Sequence, residues 1–109
     1  MKIIIQTPDF TATRKLTHFV EKSVSKLETY EERILEARVC LKTDASDSKE
    51  NKVCEIKAVI PGNDLFASRQ SKSFEESVKT VVDALKHQIE RLKTVEKQQR
   101  NVVGPINGG

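Results

Sequence analysis

Residues 53–91 read VCEIKAVIPGNDLFASRQSKSFEESVKTVVDALKHQIER, and this stretch decides the fold. Val53–Ile60 alternates with period two, which puts Cys54, Ile56, Ala58 and Ile60 on one face of a half-buried strand. Pro61-Gly62-Asn63-Asp64 places Gly62 where a type II turn needs positive φ, so the chain should reverse tightly into a short strand, Leu65–Ser68. Ser73 can cap a long helix. Phe74, Val78, Val81, Val82, Leu85, Ile89 and Leu92 recur at helical spacing and form its apolar stripe.

Upstream, Met1–Gln6 reads as a strand and Thr7-Pro8-Asp9-Phe10 as a loop, since Pro8 cannot donate to a ladder. Thr13 is a good N-cap, and Leu16, Phe19, Val20, Ser23, Val24 and Leu27 carry a helix to about Tyr30. Ile34–Lys42 alternates, with Leu35, Ala37, Val39 and Leu41 on one face and Arg38, Cys40 and Lys42 on the other. Thr43–Asn51 is polar and expected to be a mobile loop. The order is β-α-β-β-β-α, an α+β fold: a four-stranded sheet with two helices packed on one face. The first helix makes strands one and two parallel neighbours through a right-handed crossover, and strands two to four continue as antiparallel hairpins. The far sheet face, with Arg38, Lys42, Glu55 and Lys57, is left to solvent. The expected unit is one domain over 1–97, followed by a flexible tail over 98–109 containing Gly104, Pro105, Gly108 and Gly109.

A chain of 109 residues, 37% hydrophobic and 32% charged, has room for one modest core. No apolar run is long enough to span a membrane, and Met1-Lys2-Ile3-Ile4-Ile5 has the length of a strand rather than of a signal peptide. A cytoplasmic location is expected. Cys40 should point outward and Cys54 inward, so the two cannot meet disulfide geometry. Neither histidine stands at ligand spacing to a cysteine, so no metal is expected. The sequence carries no Ser-His-Asp set, paired carboxylates, Gly-rich phosphate loop or HExxH arrangement. It therefore reads as a non-enzyme without cofactor or small-molecule substrate. Phe10, Phe19, Tyr30, Phe66 and Phe74 fall mostly at core spacing and build no stacking platform.

The formal charge is +3, from 19 Lys+Arg against 16 Asp+Glu, so what matters is whether the positive charge is segregated. On the first helix His18, Lys22 and Lys26 stand four apart and make one positive stripe. On the second, Lys79, Asp83, Lys86, Glu90, Lys93 and Lys97 alternate in sign, as an ordinary solvated face does. His87 and Arg91 stand four apart on its flank, with no acid at Ala84 or Val95. A mixed-charge helix face is most often a solubility surface. Two helices with basic outer faces and no catalytic cluster nevertheless point to a binding module for an anionic surface, RNA first.

The element order, Lys26-Leu27-Glu28 before an aromatic, the Pro61-Gly62-x-x-Leu65 turn and Leu85-x-x-Gln88 followed by basic residues together resemble the short ribosome hibernation promoting factors. These are also called ribosome-associated inhibitors or sigma-54 modulation proteins. The resemblance spans about residues 1 to 97. It implies binding to the small ribosomal subunit and its rRNA, in the channel used by messenger and transfer RNA, silencing ribosomes in stress or stationary phase. It also implies a monomer off the ribosome. Carried over by position, it makes Lys26, His87, Arg91 and Lys93 RNA-contacting residues, with Lys22 and Lys86 as supporting charge. The rival readings are a double-stranded-RNA-type binder and a protein-interaction regulator of the sigma-54 modulator type that does not bind ribosomes. The first is disfavoured by Ser73-Phe74-Glu75-Glu76, where such domains open the last helix with lysines.

Overall fold

In a computed structural model, the backbone is described for residues 1–45 and 49–108, and side chains to Gln98. The elements run β1 (Lys2–Gln6), α1 (Arg14–Ser25), α2 (Leu27–Tyr30), β2 (Glu36–Thr43), β3 (Lys52–Val59), β4 (Leu65–Ser71) and α3 (Phe74–Gly108). The sheet order is β1-β2-β3-β4. β1 pairs parallel with β2, with Ile3 opposite Ala37 and Ile5 opposite Val39. The β2–β3 and β3–β4 pairs are antiparallel. The α+β arrangement expected from the sequence is the one observed. Residues 46–48, part of the loop expected to be mobile, lie outside the described residues; the backbone of the expected tail continues α3 to Gly108, and its side chains beyond Gln98 are not described.

One face of the sheet carries the core. Ala37, Val39 and Leu41 of β2, Cys54, Ile56 and Ala58 of β3, and Leu65 and Ala67 of β4 are buried. They meet Val20 and Val24 of α1, Leu27 of α2, and Val78, Val81, Val82, Leu85 and Ile89 of α3. Phe10 stacks on Phe74 at 4.7 Å between ring centroids, against the edge of this core. Ser73 Oγ accepts from the Glu76 N–H at 3.1 Å, the expected cap of α3. At the β3–β4 turn Gly62 has φ +80°, and the Asn63 N–H donates to the Ile60 carbonyl at 3.0 Å. The Ile60 N–H donates in turn to Asp64 Oδ1 at 3.2 Å.

Four expectations need correction. Leu35 does not share the buried face; it lies before β2 begins, where strand alternation does not yet hold, and is 62% exposed. Phe66 is not a core aromatic, because its register opposite Lys57 puts it on the open face, 55% exposed. β4 is longer than expected, reaching Ser71 through its pairing with Lys52. The first helix is interrupted: Ser25 Oγ donates to the Lys22 carbonyl at 2.8 Å, and Thr29 Oγ1 to the Lys26 carbonyl at 2.6 Å. Hydroxyls bonding backward compete with the regular ladder. The Lys26 N–H turns to Ser23 and Val24, and α2 starts afresh one residue later.

Candidate functional site

The helices leave a cleft between α1–α2 and α3, of about 410 Å³. Phe19, Lys22, Ser23, Lys26 and Tyr30 form one wall, and Lys79, Val82, Asp83 and Lys86 the other. Phe19 is half-buried here rather than sealed in the core, because it reaches across toward α3. Lys79 Nζ lies over the Phe19 ring, 5.9 Å from its centroid, and Lys86 Nζ over the Tyr30 ring at 5.1 Å. An ammonium on an aromatic face is held in place without being neutralised. Lys22 lies in the last turn of α1, and Lys26 follows as its C-cap. Cations there are favoured by the helix dipole, which offsets their mutual repulsion. Among the described residues none of the four cleft lysines has a carboxylate within ion-pair distance.

The sheet's open face is the opposite case. Arg38 pairs with Glu36, Lys42 with Glu55 at 3.3 Å, and Lys57 with Asp64 at 3.6 Å. Four lysines and one aspartate line the cleft, a net +3, which equals the formal charge of the entire chain. The remaining charges sum to zero, so the cleft carries a local positive excess as large as that of the chain.

The far end of the cleft is clamped. Arg33 donates through Nε and Nη2 to Glu31, at 3.0 and 2.8 Å, and through Nη1 and Nη2 to both oxygens of Glu96 on α3, at 3.0 Å each. The Glu31 side chain is 2% exposed, and the Arg33 hydrogen bonds hold its carboxyl down to about 2, well below the ordinary range. Lys93 Nζ donates to the Tyr30 carbonyl at the end of α2. These contacts fix α2 against α3 and so set the width of the cleft.

The structure brings together Lys22, Lys26 and Lys86 of the residues singled out from sequence. Lys93 stands at the end of the same row, with one of its three donors used on Tyr30. His87 and Arg91 lie apart. His87 sits between two acids, with Nε2 3.5 Å from Asp83 and Nδ1 4.0 Å from Glu90. Arg91 lines a separate shallow groove with Asn63, Leu65, Gln88, Leu92 and Val95, where Gln88 Nε2 donates to the Phe66 carbonyl at 2.9 Å. Lys79 was missed by pattern. It belongs with Lys86 and Lys93 on one line because seven residues make almost two full turns, a signal masked by the interleaved Asp83 and Glu90. The described residues contain no group of acids, histidines and cysteines able to hold a metal ion. Nor do they contain a helix long and apolar enough to cross a membrane.

The fold is shared with solved proteins. A ribosomal subunit interface protein from Coxiella burnetii superposes with a TM-score of 0.77 at 17% identity, covering 86% of this chain and 99% of that one. The N-terminal domain of Protein Y from Thermus thermophilus superposes with a TM-score of 0.73 at 22% identity, covering 84% of this chain and 99% of that one. No curated protein matches the sequence. The profile described as sigma 54 modulation protein / S30EA ribosomal protein matches residues 3–97, which takes in β1 from its second residue, the other strands, the cleft and the clamp. The chain belongs to the sigma 54 modulation protein / S30EA ribosomal protein family.

Proposed function

We propose that this protein binds the small ribosomal subunit through the lysine cleft and inhibits translation by occupying the channel used by messenger and transfer RNA, keeping ribosomes inactive in stress or stationary phase. The observation that carries this reading is a positive excess as large as that of the whole chain in one groove between two packed helices. Lys22, Lys26, Lys79 and Lys86 meet rRNA phosphates, Lys93 extends the row, and His87 and Arg91 contribute from the other flank of α3. Phosphate contacts release counterions and position the protein without reading sequence. A rigid helix pair recognises RNA by shape. Inhibition is steric and needs no turnover, metal or cofactor. A cytoplasmic setting, a monomeric state off the ribosome and residues 1–97 as the binding unit belong to the same proposal.

The double-stranded-RNA reading is weaker. Glu75 and Glu76 stand exposed in the first turn of α3, where phosphate would otherwise be attracted to the helix N-terminus. The test is a cell-free translation reaction. Purified protein added before messenger RNA should suppress synthesis, and the same amount added after messenger RNA and initiator transfer RNA are bound should suppress it much less. Equal inhibition in both orders, or none, would remove the channel-occupancy mechanism.

A further inference from the structure

The cleft is more than a basic surface. Its volume of about 410 Å³ lies in the range of small-ligand pockets, roughly 300–1,000 Å³. Phe19, Tyr30 and Val82 give it apolar walls, which strengthen the field of the charges above them. Lys79 and Lys86 rest on aromatic rings and keep their N–H donors for an anion, whereas Arg38, Lys42 and Lys57 on the open face are paired with carboxylates. Asp83 is the one acid in the lining, and its carboxylate lies near His87 and pairs with neither Lys79 nor Lys86. The spacing is also particular. Lys22 and Lys26 stand about one turn apart on one wall, and Lys79 and Lys86 two turns, roughly 10 Å, apart on the other. A short strip with ammonium groups on both sides suits a linear run of linked phosphates that enters the groove and is held from two walls at once.

We propose that the cleft also binds free condensed phosphate, the tri- or tetraphosphate chain of a nucleotide or of an inorganic oligophosphate. Such an anion competes with RNA for Lys22, Lys26, Lys79 and Lys86, which makes ribosome binding responsive to the level of free oligophosphate. This inference rests on the reading of the cleft as an RNA-phosphate site.

The test uses the full chain and three probes: inorganic tripolyphosphate, adenosine triphosphate and orthophosphate, titrated by calorimetry at low salt. Tripolyphosphate should bind one-to-one and at least about tenfold tighter than orthophosphate. A Lys79→Gln/Lys86→Gln double variant should weaken it by at least about tenfold, and a Lys42→Gln/Lys57→Gln variant should leave it unchanged. Circular dichroism checks that both remain folded. Tripolyphosphate should also displace the protein from small subunits at concentrations that saturate the cleft. Equal affinity for tripolyphosphate and adenosine triphosphate assigns recognition to the phosphate chain alone; tighter nucleotide binding gives the nucleoside a seat beside the aromatic walls. Non-saturating uptake, or equal uptake by both double variants, means an adventitious counterion only and overturns the proposal. If the protein binds small subunits but not tripolyphosphate, this inference falls while the RNA reading stands. If tripolyphosphate binds in the cleft but cleft variants still bind subunits normally, the RNA reading falls with the competition built on it.

Discussion

Glu31 is buried as an anion and makes every bond such a group needs. Its carboxylate accepts from the Arg33 backbone at 2.9 Å and from the Arg33 guanidinium, which also grips Glu96. Its pKa falls from the ordinary 4.5 to about 2, so the folded state favours the ionised form. The resulting stabilisation is complete above the unfolded value and is lost as pH falls from about 4.5 toward 2. With Arg33 half exposed, the contribution near neutrality is about 2–3 kcal/mol after allowing for solvent screening. Glu31→Gln should therefore unfold at lower urea than wild type near neutral pH, and the gap should close as the solution is acidified through that window. A gap independent of pH would contradict the clamp. The thiols give a second residue-scale outcome. Burial pushes Cys54 up to about 12 and also raises half-buried Cys40. Cys40 should react slowly with a thiol reagent in the native protein and Cys54 only on unfolding, as read by mass spectrometry with and without denaturant. The opposite facing of these thiols was legible from strand alternation alone. The Glu31 clamp was not, because an i, i+2 contact extended to a residue 63 positions away leaves no local pattern.

At the scale of elements, the apolar stripes and the Gly62 turn carried most of the legible fold. Leu85 is fully buried on the inner face of α3. Leu85→Ala should cost about 2–5 kcal/mol in chemical denaturation, whereas Phe19→Ala, at the cleft wall, should cost less. A Leu85→Ala variant as stable as wild type would mean that α3 is not packed as described. Gly62 lies in the left-handed region, so Gly62→Ala should destabilise by about 1–2 kcal/mol through backbone strain. Its added Cβ meets no atom within 4 Å, so strain and not a clash sets the effect. The break at Lys26 was illegible because Ser25 and Thr29 are tolerated in regular helices. Their hydroxyls turn back on the Lys22 and Lys26 carbonyls at the break, a competition with the ladder that spacing does not reveal. The outward facing of Phe66 follows from the β3–β4 register, which the turn fixes but residue type hides.

For the whole molecule, charge is the decisive property. Sequence showed a balance of only +3, and folding gathers an excess of that size into one cleft while pairing Arg38, Lys42 and Lys57 on the open sheet face. Half of the site was readable from the four-residue spacing of Lys22 and Lys26. The other half required the crossing of α1 and α3, which no single helix pattern records. The most direct measurement is cosedimentation with small ribosomal subunits across a salt series, for wild type and two charge-matched double reversals. Lys22→Glu/Lys86→Glu alters the cleft, and Lys42→Glu/Lys57→Glu alters the open face by the same net charge. The cleft variant should lose association and flatten the slope of log affinity against log salt by roughly two, about one per lost phosphate contact. The open-face variant should keep most of the slope. Cleft reversal that binds as wild type does, or open-face reversal that loses as much, would contradict the lysine cleft as the ribosome-binding surface.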